Sequence, residues 1–318
     1  MIVDKEKFFE IQSKMDFISY DQALGYHDLY GNREIVYFVD NINEPNLCVW
    51  AVINRKFKFL SILKITGESF SKQVTHKIYS KFYKHIIEES EQHDIITIVN
   101  NNKYSIDFEM GIRLAGFIRP IAFFDSPLSI VMDFNKENIR SRNWRRNVEV
   151  AKKNNLDFKY ITNPTQDDIV VFVKMCNELS ERKGLGSYIN EENISNMLLD
   201  ENYYLFFVYI DDLPLAGRIV YVHREHSYDV YAANSNKAIE NRGTTYFMME
   251  SIFEFLKSLG VNYFDFGRIG IGHSDGVASF KLYSGGEVIN YNSSWEYSNN
   301  IFLSSLVSIV RSIRSKRY

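Results

Sequence analysis

The feature that most constrains the fold is an order of elements that occurs twice along the chain. Glu34 to Val39, Leu47 to Val52 and Phe57 to Ile65 are short runs rich in β-branched and aromatic residues, and they read as a meander of strands. From Ser71 to Glu91, Val74, Ile78, Phe82, His85 and Ile86 recur at helical spacing. A strand at Ile95 to Val99, a helix from Ser105 to Leu114, Gly116 and a strand from Phe117 to Phe124 complete the first series. The second begins with strands at Tyr203 to Ile210, Pro214 to His223 and Ser227 to Ala233. A helix follows from Thr244 to Leu259, with Met248, Ile252 and Phe255 on one stripe and Gly260 as its cap. A strand from Val261, a short helix from Gly276 to Tyr283, Gly285-Gly286 and a strand from Glu287 to Asn292 close the series. Each half therefore reads β-β-β-α-β-α-β, which predicts an α/β fold with mixed sheets, made by tandem duplication. The expected domains are 1–135 and 136–318, and the cores of 34–133 and 203–297 are expected to share one fold.

Length and composition agree with two folded domains. A chain of 318 residues buries enough apolar surface to need no disulfide or metal staple. Hydrophobic residues at 45% and charged residues at 24% exclude disordered, collagenous and coiled-coil classes. With 37 Lys and Arg against 40 Asp and Glu, the chain as a whole does not attract polyanions, so a phosphate or nucleic-acid contact must be a local patch, and DNA is not an expected partner. Cys48 and Cys176 are too few and too far apart for a disulfide framework or zinc ribbon. The amino-terminal residues lack a basic region followed by an apolar stretch, and the longest apolar run, Tyr203 to Ile210, is far short of a bilayer span. A cytosolic location without a membrane span is expected.

Between the two series lies Arg140-Ser-Arg-Asn-Trp-Arg-Arg-Asn-Val-Glu-Val-Ala-Lys-Lys, an amphipathic helix with Trp144, Val148 and Ala151 on its buried stripe and basic residues elsewhere. Glu149 lies four residues from both Arg145 and Lys153, so this face is either a salt-bridged surface or a contact for tRNA or a diphosphate. Two helices, Gln166 to Arg182 and Glu191 to Leu199, flank the loop Lys183-Gly-Leu-Gly-Ser-Tyr. The segment Ile301 to Ile313 is an amphipathic helix that runs into Arg314-Ser-Lys-Arg. His223-Arg-Glu-His226 is not a zinc motif, because i, i+3 spacing on one strand sends the imidazoles to opposite faces. No metal site and no nucleophile-elbow, Walker or dinucleotide fingerprint is present. Gly270 to Gly276 reads as a polar loop, in which His273 and Asp275 either meet an acceptor or are simply solvated.

Three strands, a helix opened by Arg242-Gly243, a strand, a helix and a strand resemble the GNAT acyltransferase fold. In that family, amides at the start of the long helix hold the pyrophosphate of acyl-CoA. Arg242, Gly243 and Thr244 are the corresponding donor-binding candidates, although Glu240 and Thr245 stand where the family has Gln or Arg and Gly or Ala. A glycine that merely opens a helix is the alternative. Four further segments, Arg145-Arg-Asn-Val-Glu-Val-Ala-Lys, Tyr228-Asp-Val-Tyr-Ala-Ala-Asn-Ser, Phe264-Asp-Phe-Gly-Arg-Ile and Val277-Ala-Ser-Phe-Lys-Leu-Tyr-Ser-Gly-Gly-Glu-Val, resemble the successive motifs of the FemABX-type aminoacyltransferases and BioF2-like acyltransferases. Those are tandem GNAT-like proteins, and the likeness spans residues 128–297. The resemblance implies a degenerate first domain and a second acyltransferase domain. It implies transfer of an acyl or aminoacyl group to an amine of a sugar nucleotide or envelope precursor, with acyl-CoA favoured over aminoacyl-tRNA as cosubstrate and no tightly bound cofactor.

The same resemblance suggests roles for single residues. Lys281 follows Phe280 where the family's Phe-Lys pair meets the donor carbonyl, and its ammonium would stabilise the oxyanion of the attacked ester or thioester. A solvated lysine beside a core phenylalanine is the plain alternative. Asp265, on the strand face opposite Phe264 and Phe266, would orient the amine, or else pair with Arg268. Tyr231 sits on the middle strand where such folds splay and offer a backbone amide to the acyl carbonyl, or is a core tyrosine. Arg182, Arg268 and Tyr188 are the acceptor candidates, the arginines through bidentate grip of phosphate. Arg182 at a helix end is equally explained by the dipole. A non-catalytic glycan- or protein-binding module on the same fold is the reading from another class.

Overall fold

The computed structural model describes all residues except 32, 57–59, 121–126, 185, 187, 270–274, 301, 304, 308 and 311–318, and only the backbone of 56, 239 and 275. His273 and most of the proposed Gly270 loop thus lie outside the described residues. Two compact units divide the chain: Met1–Leu128 with Arg268–Gly272 and Ile289–Tyr318, and Ser129–Gly267 with His273–Val288.

The first unit contains β1 (Ile2–Val3), α1 (Lys5–Gln12), β2 (Phe17–Ile18), α2 (Leu24–His27), β3 (Ile35–Val39), β4 (Leu47–Lys56), β5 (Leu60–Thr66), β6 (Ser69–Phe70), α3 (His76–Glu89), β7 (Ile95–Lys103) and α4 (Ile106–Leu114). The second contains β8 (Leu128–Asp133), α5 (Arg142–Lys152), β9 (Asp157–Ile161), α6 (Gln166–Lys183), α7 (Glu191–Met197), β10 (Tyr203–Ile210), β11 (Leu213–His223), β12 (His226–Asn234), α8 (Thr244–Ser258), β13 (Tyr263–Arg268) and α9 (Asp275–Tyr283). Last comes β14 (Glu287–Tyr297), which from residue 289 onward belongs to the first unit.

The order read from the sequence recurs: an antiparallel meander, a crossover helix, a strand parallel to the last of the meander, a helix, a strand. In the first unit β3, β4 and β5 are antiparallel, α3 crosses over, and β7 pairs parallel to β5. In the second, β10, β11 and β12 are antiparallel, α8 crosses over, and β13 pairs parallel to β12. The strand orders are β1-β3-β4-β5-β7-β14 and β8-β13-β12-β11-β10-β9. Each unit therefore takes its outermost strand beyond the parallel pair from the other half of the sequence.

Three local expectations need correction. Phe117–Pro120 does not form a strand; Ile118 makes an isolated bridge to Glu296, and the strand that ends the first series is β8. His223 and His226 are not on one strand but are register partners across the two-residue β11–β12 hairpin. The buried stripe of α3 is Tyr79, Phe82, Tyr83 and Ile86 rather than Val74, Ile78, Phe82, His85 and Ile86. That helix packs with Leu63, Ile65, Ile96, Ile98, Phe108 and Trp295 into one apolar cluster on its side of the sheet.

The tyrosines are drawn inward by a carboxyl group. Glu68 is 1% exposed and accepts from the Tyr79 hydroxyl at 3.4 Å, the Tyr83 hydroxyl at 3.3 Å and Asn102 Nδ2 at 3.3 Å. Burial pushes its carboxyl up from 4.5 to about 7 despite those donors. Between these values the folded chain binds the proton that the unfolded chain has released, so this contribution to stability is present in acid and is lost as pH rises toward 7. The change amounts to about 3 kcal/mol. Urea unfolding at successive pH values should therefore show a downward slope across this window in the wild type, and Glu68→Gln should flatten it.

Candidate active site

The second sheet opens at one place. β12 and β13 pair only through His226↔Tyr263, Ser227↔Phe264 and Tyr228↔Asp265. Directly afterwards, β12 carries a bulge: Ile219 faces Tyr231 while Val220 faces Asp229, so Val230 is the extra residue. The bulge breaks the simple alternation between Asp229 and Tyr231 that the sequence pattern assumes. On β13, Gly267 adopts φ +73°, a left-handed conformation open to glycine. Its N–H donates to Asp265 Oδ1 at 2.8 Å, and the Ser129 hydroxyl donates to the same oxygen at 2.5 Å. Asp265 is buried, and its carboxylate shapes the turn that ends the strand pairing.

Lys281 reaches this opening from α9. Its Nζ donates to Phe266 O at 2.7 Å and Gly267 O at 3.1 Å, carbonyls at the end of β13. Burial lowers its ammonium from the ordinary lysine value; Asp229 opposes that shift, Arg218 adds to it and Asp265 opposes it. Burial raises the Asp229 carboxyl, against Arg218 and Lys281. Each group is thus pushed toward its neutral form by desolvation and held back by its neighbour's charge.

Asp229 is the functional candidate that sequence reasoning missed. Its Oδ2 accepts from Arg218 Nη1 at 2.5 Å in an ion pair whose side chains are 6% and 10% exposed. Its Oδ1 and the Arg218 Nε are buried without a hydrogen-bond partner among the described residues. The signal available was faint: an acid and an arginine on adjacent strands of an otherwise apolar run.

The donor candidates lie where α8 begins. Gly243 has φ +94°, and a Cβ there would sit 2.2 Å from Asn147 O and 3.0 Å from Ala151 Cβ, so α5 is packed directly on this end of α8. Asn147, not Val148, shares the buried stripe of α5 with Trp144 and Ala151, because its Oδ1 accepts from Arg242 Nε at 3.1 Å. Thr244 is buried, and its N–H and hydroxyl both donate to Asn241 O. Arg142, Arg145 and Arg146 are exposed on the outer side of α5, and Glu149 pairs with Lys152. Phe280 stacks on Trp144 at 5.1 Å and meets Tyr246 edge-on at 5.1 Å, so it joins α9 to α5 and α8. Glu250 fixes the arrangement by accepting from Trp144 Nε1 and Arg140 Nε.

The acceptor candidates are dispersed. Arg182 donates to Asn236 Oδ1 and to Asn234 O at 3.3 Å, at the exit of β12. Tyr188 is exposed beyond α6. Tyr231 is half-buried just past the bulge. Arg268 belongs to the first unit, where its Nε donates to Asn101 Oδ1 at 2.7 Å and its guanidinium lies 5.8 Å from the Tyr291 ring. The geometry thus brings Lys281 and Asp265 to one turn, with Phe280, Arg242, Gly243 and Thr244 on the packed helices beside it. Two cavities of the first unit, about 340 and 430 Å³, share Pro120 and Ser294 and contain none of these residues.

Residues 140–282 match the family described as acetyltransferase (GNAT) domain. No curated protein matches the chain. Among solved structures, FemX superposes with a TM-score of 0.76 at 12% identity, covering 97% of this chain and 99% of that one. L-PGS from Bacillus licheniformis superposes at 0.67 with 13% identity, covering 98% and 97%. A tandem GNAT protein from the clavulanic acid biosynthesis pathway superposes at 0.56 with 7% identity, covering 94% and 98%. At such identities the likeness is one of fold. The matched family segment, however, runs from Arg140 through the β12–β13 opening to the helix of Lys281. Residues 140–282 thus form a GNAT acetyltransferase domain, in a chain whose overall fold is like that of FemX and of a tandem GNAT protein.

Proposed function

We propose that the chain transfers an acyl or aminoacyl group to the amine of a sugar nucleotide or envelope precursor, by direct attack at the opening between β12 and β13. The observation that carries this reading is the Lys281 ammonium bonded to the carbonyls of Phe266 and Gly267, beside the Asp229–Arg218 pair. The amine nitrogen forms a bond to the donor carbonyl carbon, and the negative charge that develops on the carbonyl oxygen is met by Lys281 and a backbone amide near Tyr231. Asp229 accepts the proton that the nitrogen must lose. The carbon–sulfur or carbon–oxygen bond to the donor then breaks, and the thiol or hydroxyl leaves after taking up a proton. In this reading Asp265 keeps the Gly267 turn in shape rather than touching the amine. Arg182 and Tyr188 meet the acceptor, while Arg268 stays within the network of the first unit.

The donor is proposed to be an acyl-CoA, gripped through side chains more than through bare amides. The packing of α5 on Gly243 and the use of the Thr244 N–H within its own turn leave less open backbone than a pyrophosphate cradle needs. Arg242, with Arg145 and Arg146 nearby on α5, supplies the missing positive charge. With acyl-CoA as donor, Arg242→Glu should raise the donor KM about tenfold with a shallow dependence on salt. Steep loss of affinity with salt, together with greater sensitivity to Arg145→Glu and Arg146→Glu, would instead identify aminoacyl-tRNA. Steady-state kinetics and binding against a panel of acyl-CoAs, charged tRNA and amino-sugar nucleotides make this test.

A further inference from the structure

We propose that Glu250 is a positioning residue for the transfer: by holding Trp144 and Arg140 it fixes α9, and with α9 the place of the Lys281 ammonium. This rests on the acyl-transfer reading, in which that ammonium meets the developing oxyanion. A nine-residue helix such as α9 is too short to hold itself in water, so its place is set by what grips it. A group that must meet charge in a transition state has to be held to within about 0.5 Å by the residues behind it. Those residues can be traced from α9 outward.

Among the described residues, two grips on α9 lead to Glu250. In the first, Phe280 stacks on the Trp144 ring at 5.1 Å with 25° between the planes, and meets Tyr246 at 5.1 Å and Phe266 at 6.2 Å edge-on. Trp144 is fully buried, and its Nε1 donates to Glu250 Oε1 at 2.5 Å. In the second, carbonyls at the end of α9 are taken up by the chain that leads into α5. The Ser141 N–H donates to Tyr283 O at 3.1 Å, and Arg140 Nη1 donates to Ser284 O at 2.7 Å. Arg140 Nε in turn donates to Glu250 Oε1 at 2.7 Å, in a pair whose side chains are 15% and 28% exposed. The fit at this end is close, since a Cβ on Gly285 would lie 2.5 Å from Ile139 O. One carboxylate on α8 thus governs both Phe280 and the carboxyl end of α9, and Lys281 lies between these two points. All of these residues belong to the second unit.

The test follows the titration of Lys281 by NMR in the full-length protein, isotope-labelled at the lysine ε-carbons, with Lys281 assigned as the resonance missing from Lys281→Met. Burial lowers this ammonium, while Asp229 and Asp265 oppose the shift and Arg218 adds to it. Removing an acid by itself lowers a lysine further, whereas letting α9 move hydrates the ammonium and returns it toward the ordinary value. In Glu250→Ala the Lys281 titration should therefore move upward. With an acyl-CoA and an amino-sugar nucleotide as substrates, kcat of this variant should fall about tenfold or more while both KM values change little. Glu250→Gln, whose amide oxygen still accepts from Trp144 and Arg140, should recover most of both effects. Should Glu250→Ala misfold, the double change Arg140→Met, Glu250→Leu removes both charges without leaving either unpaired, and should give the same shift and the same fall. A Lys281 titration that stays or moves down in the folded variants, or a lower melting temperature at unchanged kcat, reduces Glu250 to a brace and overturns the proposal. Wild-type turnover in Lys281→Met overturns it too, together with the role given to Lys281 above, and is told apart from the first failure because the titration shift in Glu250→Ala survives it.

Discussion

Lys281→Met should lower kcat by about a hundredfold or more at saturating donor and acceptor, the range seen when one oxyanion donor is removed. The argument is differential. Charge on the carbonyl oxygen exists only in the transition state, so its loss of stabilisation appears in kcat rather than in the affinity for either substrate. The lysine also holds Phe266 O and Gly267 O, so the methionine variant should lose roughly 1–3 kcal/mol of stability in its unit. Assays well below its melting temperature separate the two effects. A second readout comes from pH. The basic limb of kcat should lie below the ordinary range of a lysine, because burial lowers this ammonium, and the acid limb above that of a free carboxyl, because burial raises Asp229. Lys281→Arg should move the basic limb upward, and a purely structural lysine would leave both limbs where they are. Near wild-type turnover in the methionine variant would pass the oxyanion role to the backbone near Tyr231.

The sequence carried the repeat of elements because hydrophobic period and turn residues are local signals, and α5, α8 and the Lys281 helix fell within a residue or two of their expected bounds. What it could not carry were relations between distant segments. Nothing local in Leu128–Asp133 or Ile289–Tyr297 says that each strand completes the other half's unit. The Asp229–Arg218 pair was hidden for a similar reason: it joins two strands, and the bulge at Val230 is a register event that alternation along one strand does not reveal. Asn147 falls outside the stripe of Trp144, Val148 and Ala151 that spacing predicts for α5, yet it is buried, and its Oδ1 accepts from Arg242 Nε at the start of α8. Asp265 is legible as an acid between Phe264 and Phe266, but spacing along one strand does not reveal that its carboxylate accepts from the Gly267 N–H and the Ser129 hydroxyl.

Asp229→Ala should cost the second unit about 3–5 kcal/mol, because it leaves the Arg218 guanidinium buried without its counter-charge. The urea midpoint of that unit should fall accordingly, and the activity loss in this variant alone would say nothing about chemistry. The informative protein is the double variant Arg218→Met, Asp229→Leu. Replacing both charges with apolar side chains of similar size removes the desolvation penalty together with the attraction, so most of the lost stability should return. If Asp229 accepts the proton of the attacking amine, kcat should remain depressed by about a hundredfold or more in this restored fold, and the acid limb of the pH profile should disappear. Asp229→Asn, which keeps the shape and a hydrogen bond to Arg218 but cannot take the proton at neutral pH, should behave likewise with a smaller stability loss. Recovery of turnover in step with stability in the double variant would reduce the pair to a structural brace and leave amine deprotonation to solvent.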